Sequence, residues 1–128
     1  MLDKQIISIP EIELAWSEWV SWNAIQTLVR DGGMPIPNCE PGVYEAKHTY
    51  TDERLTIGKA SDLRWRVRQG LVRGIAPHSS GTQIRANEDL TTIEVRWAMT
   101  DRPSAVEEEL HRLYRGKHEC LPKYTKHT

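Results

Sequence analysis

Residues 42–66 constrain the fold most. Two short β-like runs, Gly42-Val43-Tyr44-Glu45-Ala46-Lys47-His48 and Arg54-Leu55-Thr56-Ile57-Gly58, flank a polar turn at Thr51-Asp52-Glu53 and lead directly into Lys59-Ala60-Ser61-Asp62-Leu63-Arg64-Trp65-Arg66. Alternation puts Val43, Glu45 and Lys47 on one face of the first strand and Tyr44, Ala46 and His48 on the other. Leu55-Thr56-Ile57 then pairs antiparallel across the turn. Ser61 or Asp62 caps the helix that follows, whose core stripe is Leu63, Val67 and Leu71, with Arg64, Arg66 and Arg68 elsewhere and Gly74 as the stop. Gly70 inside this helix costs about 1 kcal/mol relative to Ala and marks a close approach by a neighbour.

Further along, Thr92-Ile93-Glu94-Val95-Arg96-Trp97-Ala98-Met99 alternates strictly and predicts a third strand. Pro103, then Val106, Leu110 and Leu113, predicts an amphipathic helix running to about residues 116–118. Between them lie a loop at Pro77-His78-Ser79-Ser80-Gly81 and a short helix over 82–88. At the other end, Ser8-Ile9-Pro10-Glu11 has capping-box spacing and Gly32-Gly33 supplies a stop, so a helix is expected between them. Its face carries Ile12, Trp16, Trp19, Trp22 (or Val20) and Ile25 at three- and four-residue steps. That face either packs on the protein's own sheet or forms a homodimer or partner surface. Residues 34–41 are a proline-spaced, extended connector.

The expected fold is α+β: a small three-stranded, mainly antiparallel sheet flanked by helices, with an N-terminal accessory helix. Residues 1–41 are read as helix and connector, and 42–128 as the main domain.

A chain of 128 residues with 38% hydrophobic content suits one core. No run approaches a membrane span and the first residues lack a secretory pattern, so a cytoplasmic, non-membrane protein is expected. Cys39 and Cys120 lack a CxxC partner and are read as free thiols. The net charge of −1 conceals a division: residues 1–41 sum to −4 and residues 42–128 to +3. Residues 58–85 reach +5 through Lys59, Arg64, Arg66, Arg68, Arg73 and Arg85 against Asp62. Such a patch is either a phosphate-binding surface or a solvated one.

Gly-Val-Tyr in the first strand, Ile-Gly closing the second, and an arginine eight positions beyond that glycine together resemble the GIY-YIG nuclease domain. The resemblance covers residues 42–128 and implies hydrolysis of DNA phosphodiesters with Mg²⁺ or Mn²⁺. Its first-motif tyrosine matches Tyr44, its helix arginine Arg66, and its late glutamate Glu107 in Glu107-Glu108-Glu109-Leu110-His111. His78-Ser79-Ser80 is similar to the His-Ser-Ser context of some members, and Lys59 fits a common pattern after the glycine. By this reading Glu107 holds the metal, Arg66 the phosphoryl oxygens, and either Tyr44 or His78 takes the proton of the attacking water. Arg64, Arg68, Arg73 and Arg85 are the candidate DNA-backbone contacts. Ser104-Ala105-Val106-Glu107 also has capping-box spacing, and Glu107 and His111, one turn apart, would pair on the surface.

The sequence departs from the family pattern at Thr56, where the second motif usually has Tyr, and at Thr125, where Asn is frequent. Tyr50 or Tyr124 would be the alternative source of a phenol. Two other functions follow from these departures and from the tryptophans. One is a non-catalytic nucleic-acid-binding module on the same fold, and the other a protein-interaction domain using the tryptophan face.

Overall fold

A computed structural model describes residues 13–27 and 34–125. Its architecture is α+β, built on a four-stranded antiparallel sheet in the order β1-β4-β2-β3. The strands are β1 (Val20–Ser21), β2 (Gly42–His48), β3 (Arg54–Ala60) and β4 (Ile93–Met99). The helices are α1 (Trp22–Thr27), a wide helix at Trp65–Val72, α2 (Ser79–Asn87) and α3 (Pro103–His118). The alternating segments form strands where period two predicts them. β2 pairs along its length with both neighbours, so Tyr44 lies opposite Gly58 and Trp97, and Glu45 opposite Ile57 and Arg96.

The fourth strand corrects the three-stranded expectation. Instead of continuing a helix, residues 13–19 run without regular structure and Val20–Ser21 pairs with Val95 and Glu94 at the edge of β4. An uncovered β4 edge would leave a row of backbone groups without partners, and a β-branched valine among indoles suits such an edge. Helix begins only at Trp22, where the Ser21 hydroxyl accepts from the N–H of Ala24. The capping box at Ser8–Glu11 and the Gly32-Gly33 stop fall outside the described residues.

Two apolar clusters sandwich the sheet. On one face Tyr44, Ala46, Val95 and Trp97 pack with Trp22, Ile25, Met34 and Ile36, and with Leu63, Val67, Leu71, Val72 and Ile84. Each fully buried aliphatic side chain there contributes about 1.5–3 kcal/mol. Residues before 42 therefore supply part of the same core. On the other face Val43 and Ala98 meet Val106 and Leu110 of α3, with Leu14 and Trp16 beside them.

The wide helix closes the N–H of Arg73 onto the carbonyl of Arg68, five residues back. This winding brings Val67, Arg68, Leu71 and Val72 to the buried side together. Gly70 is the point of close approach expected from the sequence: a Cβ there would lie 3.3 Å from the His78 ring. No helix among the described residues is long and apolar enough to cross a membrane. Cys39 and Cys120 are free and exposed.

Candidate active site

A cleft of about 720 Å³ opens along the β3 edge, between α3 and the loop that leads into α2. Tyr44, Lys59, Arg66, His78 and Glu107 all line it, from five separate parts of the chain. β2 aims Tyr44 across β3, and its phenol lies over Gly58, where a Cβ would come within 2.3 Å of the hydroxyl. Any side chain at position 58 would displace the phenol.

The Tyr44 hydroxyl meets His78 Nε2 at 2.7 Å, while the backbone N–H of Gly81 donates to His78 Nδ1 at 3.0 Å. An imidazole nitrogen that accepts an amide proton carries a lone pair, so the proton of neutral His78 resides on Nε2. His78 therefore donates to Tyr44. Burial, helped by the nearby positive charges of Arg66 and Arg85, pushes His78 down to about 4, so it is neutral at pH 7. Burial also pushes Tyr44 up to about 12, against the lowering charge and hydrogen bond of Arg66 and with a smaller upward push from Glu107. The two groups are 1% and 5% exposed.

Arg66 Nη1 also donates to the Pro77 carbonyl at 3.3 Å, which ties the helix to the loop carrying His78. Lys59 Nζ donates to the Ser104 hydroxyl at the start of α3 at 3.0 Å. Ser104 is thus engaged across the cleft. Glu107 makes no hydrogen bond or salt bridge of its own among the described residues, although it lies close enough to affect Tyr44 electrostatically. Its neighbour one turn on, His111, does not pair with it on the surface. His111 is buried and its Nε2 donates to the Ile57 carbonyl at 2.9 Å, fastening α3 to β3.

The other basic candidates are largely committed to structure. Arg64 Nε donates to the Ile36 carbonyl at 2.8 Å, and Arg85 Nη1 to the carbonyls of Gly70 and Leu71 at 3.0 and 2.5 Å. The Gly70 and Leu71 carbonyls lie in the last turn of the wide helix, where acceptors commonly lack intrahelical donors. Arg68 is 3% exposed and turned to the interior, so it is not presented to a ligand. Arg73 is exposed and outside the cleft lining.

Thr56 and Thr125, the two departures, face each other in the cleft wall with their hydroxyls 3.3 Å apart, and Thr125 also accepts from the Ile57 N–H at 3.2 Å. Residues 123 and 124 extend this wall by donating backbone N–H groups to the carbonyls of Arg54 and Leu55. Tyr124 lines the cleft, but its hydroxyl donates to Glu88 at 2.6 Å. Tyr50 is exposed and stacks on His48, away from the cleft. Neither replaces the missing second-motif phenol. Sequence reasoning passed over His111, Ser104 and Trp65 as cleft residues. The four-residue step from Glu107 to His111 was the available signal for the first.

The N-terminal tryptophans lie on the protein's own groups. Trp22 is buried, Trp16 stacks on the Arg96 guanidinium at 4.1 Å, and Trp19 covers Lys47, Arg54 and Arg96 at 4.6–5.1 Å.

A divalent cation fits the cleft's donor chemistry in one form. Among the described residues no group of three or more His, Cys, Asp or Glu is placed to hold a metal, so a closed protein cage is not built here. A single uncommitted carboxylate, Glu107, suits a hard cation that completes its shell with water and substrate phosphate, as Mg²⁺ commonly does. No family model, no curated protein and no solved structure matched the chain.

Proposed function

We propose that the chain is a metal-dependent DNA endonuclease of GIY-YIG type, hydrolysing phosphodiester bonds in the β3-edge cleft. One observation carries this reading: Tyr44, Lys59, Arg66, His78 and Glu107 share that cleft, with the Tyr44 oxygen already accepting from a histidine locked as donor. Phosphodiester hydrolysis needs a proton acceptor for water, positive charge on the phosphoryl oxygens, and support for the leaving oxygen.

Tyr44 is the proton acceptor in this scheme, because His78 Nε2 already carries a proton and its Nδ1 is occupied by Gly81. Tyr44, ionised to the phenolate by loss of its proton to solvent, takes a proton from the attacking water as the new oxygen–phosphorus bond forms and the bond to the leaving oxygen breaks, the departing alkoxide taking its proton from solvent. His78 and Arg66 hold the phenol in place and stabilise its anion. Arg66 and Lys59 direct positive charge at the phosphate, Arg66 through a planar fork suited to two oxygens. Glu107 would hold Mg²⁺ or Mn²⁺, which when bound supplies further charge neutralisation for the phosphoryl group.

The Thr56–Thr125 pair supports a second reading, a nucleic-acid-binding module of the same fold without turnover, since threonine keeps a hydroxyl but lacks the reach of a phenol. Nicking of supercoiled plasmid separates the two. Nicking with Mg²⁺ or Mn²⁺ that EDTA and Glu107→Gln both abolish is the expected result. Folded protein that binds DNA but leaves plasmid and branched DNA intact with either metal would select the second reading.

A further inference from the structure

Trp65 occupies the cleft wall, yet the hydrolytic scheme leaves it without a task. It is 56% exposed, whereas indoles are ordinarily well covered on average. The other large exposed apolar residues among those described, Tyr50, Ile75, Met99 and Leu113, lie outside the cleft lining. Its backbone is fixed: the Trp65 N–H donates to Asp62 Oδ1 at 3.3 Å, and Asp62 also accepts from the N–H of Cys39 at 3.1 Å. An exposed aromatic is thus held on an anchored helix start, immediately before Arg66.

We propose that Trp65 is a stacking platform for an unpaired base, and that the preferred substrate is DNA with a single-stranded or unstacked nucleotide beside the scissile phosphate. This rests on the phosphodiesterase reading of the same cleft. Tyr44 and His78 lie at the floor and are almost fully buried, so a reacting phosphate has to descend into the cleft. In continuous duplex the bases next to that phosphate are stacked on each other and offer only their edges in the grooves. An unpaired nucleotide instead offers a π-face that an indole can cover, and aromatic stacking of this kind is tolerant of sequence. Lys59 and Arg66 on the same lining supply phosphate contacts, so one strand can place its phosphate at Arg66 and its base on Trp65.

The test is fluorescence anisotropy in EDTA with two labelled DNAs, a short oligothymidylate and a blunt duplex annealed from two complementary strands, for wild type, Trp65→Ala and Trp65→Phe. Plasmid nicking by the wild type is run in parallel, and circular dichroism checks that both variants fold. The expected result is tighter binding of the single strand, an affinity for it about tenfold lower in Trp65→Ala with a much smaller change on duplex, and recovery of most of the loss in Trp65→Phe. Equal loss on both DNAs, or no loss, would overturn the stacking role while wild-type nicking left the phosphodiesterase reading in place. Wild type that neither binds nor nicks DNA would overturn both.

Discussion

Tyr44 and Glu45 are chain neighbours on opposite faces of the central strand, and their surroundings differ instructively. Glu45 is buried, and both its oxygens are engaged: Arg54 Nε donates to one at 3.0 Å and Arg96 Nε to the other at 2.7 Å. The indoles of Trp16 and Trp19 cover this cluster. Tyr44 faces an open cleft where Glu107 lacks a bonded partner among the described residues and Lys59 reaches only a serine hydroxyl. One polar group is closed by its own protein, and the other has capacity left for a ligand. Buried polar groups that satisfy each other organise a fold, whereas uncommitted charge on a cleft wall points to binding or chemistry.

If the Glu45 side is purely structural, Glu45→Ala should leave the largely buried Arg96 without its carboxylate partner and Arg54 with Asp52 alone, destabilising the protein by about 3 kcal/mol, as read from urea unfolding. A near-neutral effect would mean that the cluster is not closed. On the Tyr44 side, a phenol held near 12 as the proton acceptor makes the hydrolysis rate rise about tenfold per pH unit through the neutral range, because the phenolate fraction grows at that slope. His78, held near 4, adds no inflection around its ordinary value. A plateau above an inflection near pH 6.5 would reassign the base.

Glu88 connects the two behaviours, because it lies outside the cleft lining yet holds the hydroxyl of the cleft residue Tyr124. Burial alone would raise its carboxyl, but hydrogen bonds from His48, Lys123 and Tyr124 outweigh that and hold it at about 2. Since the folded-state value lies below the unfolded one, this stabilisation is present above about pH 4.5 and disappears as the pH falls toward 2. The expected loss over that window from Glu88 is about 2 kcal/mol, and Glu88→Gln should remove that share of the pH dependence, leaving the smaller part from the exposed carboxylates of Asp52, Asp89 and Glu109, which are also held low. Unfolding curves at pH 5 and pH 3 are the check. The smallest effect belongs to Trp19→Leu, which removes a partly exposed cation–π cover worth about 1 kcal/mol and should leave DNA cleavage unaltered.

The elements that frame the cleft were legible from period, whereas the choice of Tyr44, Lys59, Arg66, His78 and Glu107 came from the resemblance to the GIY-YIG pattern, since period does not single out a loop residue such as His78. Alternation in 42–48 and 92–99 set the faces of β2 and β4, and Pro103 with Val106 and Leu110 set the helix carrying Glu107. The N-terminal segment was not legible. Trp16, Trp19, Trp22 and Ile25 repeat at helical steps, but only Trp22 and Ile25 lie on a helix. The edge of β4 and the Arg54–Arg96 pair, which hold Val20, Trp16 and Trp19, come from distant residues that local spacing does not encode. Charge was equally ambiguous at Arg64 and Arg85. Both serve backbone carbonyls that become available only once the wide helix and the residue 34–41 connector are in place.

The contrast between neighbouring residues can be measured in one assay: initial rates of Mg²⁺-dependent plasmid nicking for wild type, Tyr44→Phe and Glu45→Gln, at a temperature where circular dichroism shows all three folded. Tyr44→Phe should lose at least about a hundredfold, the lower end of the range for removing a general base, while Glu45→Gln retains the wild-type rate despite a lower unfolding midpoint. Nicking by Tyr44→Phe at the wild-type rate would contradict the assignment of the β3-edge cleft as the site of hydrolysis through Tyr44.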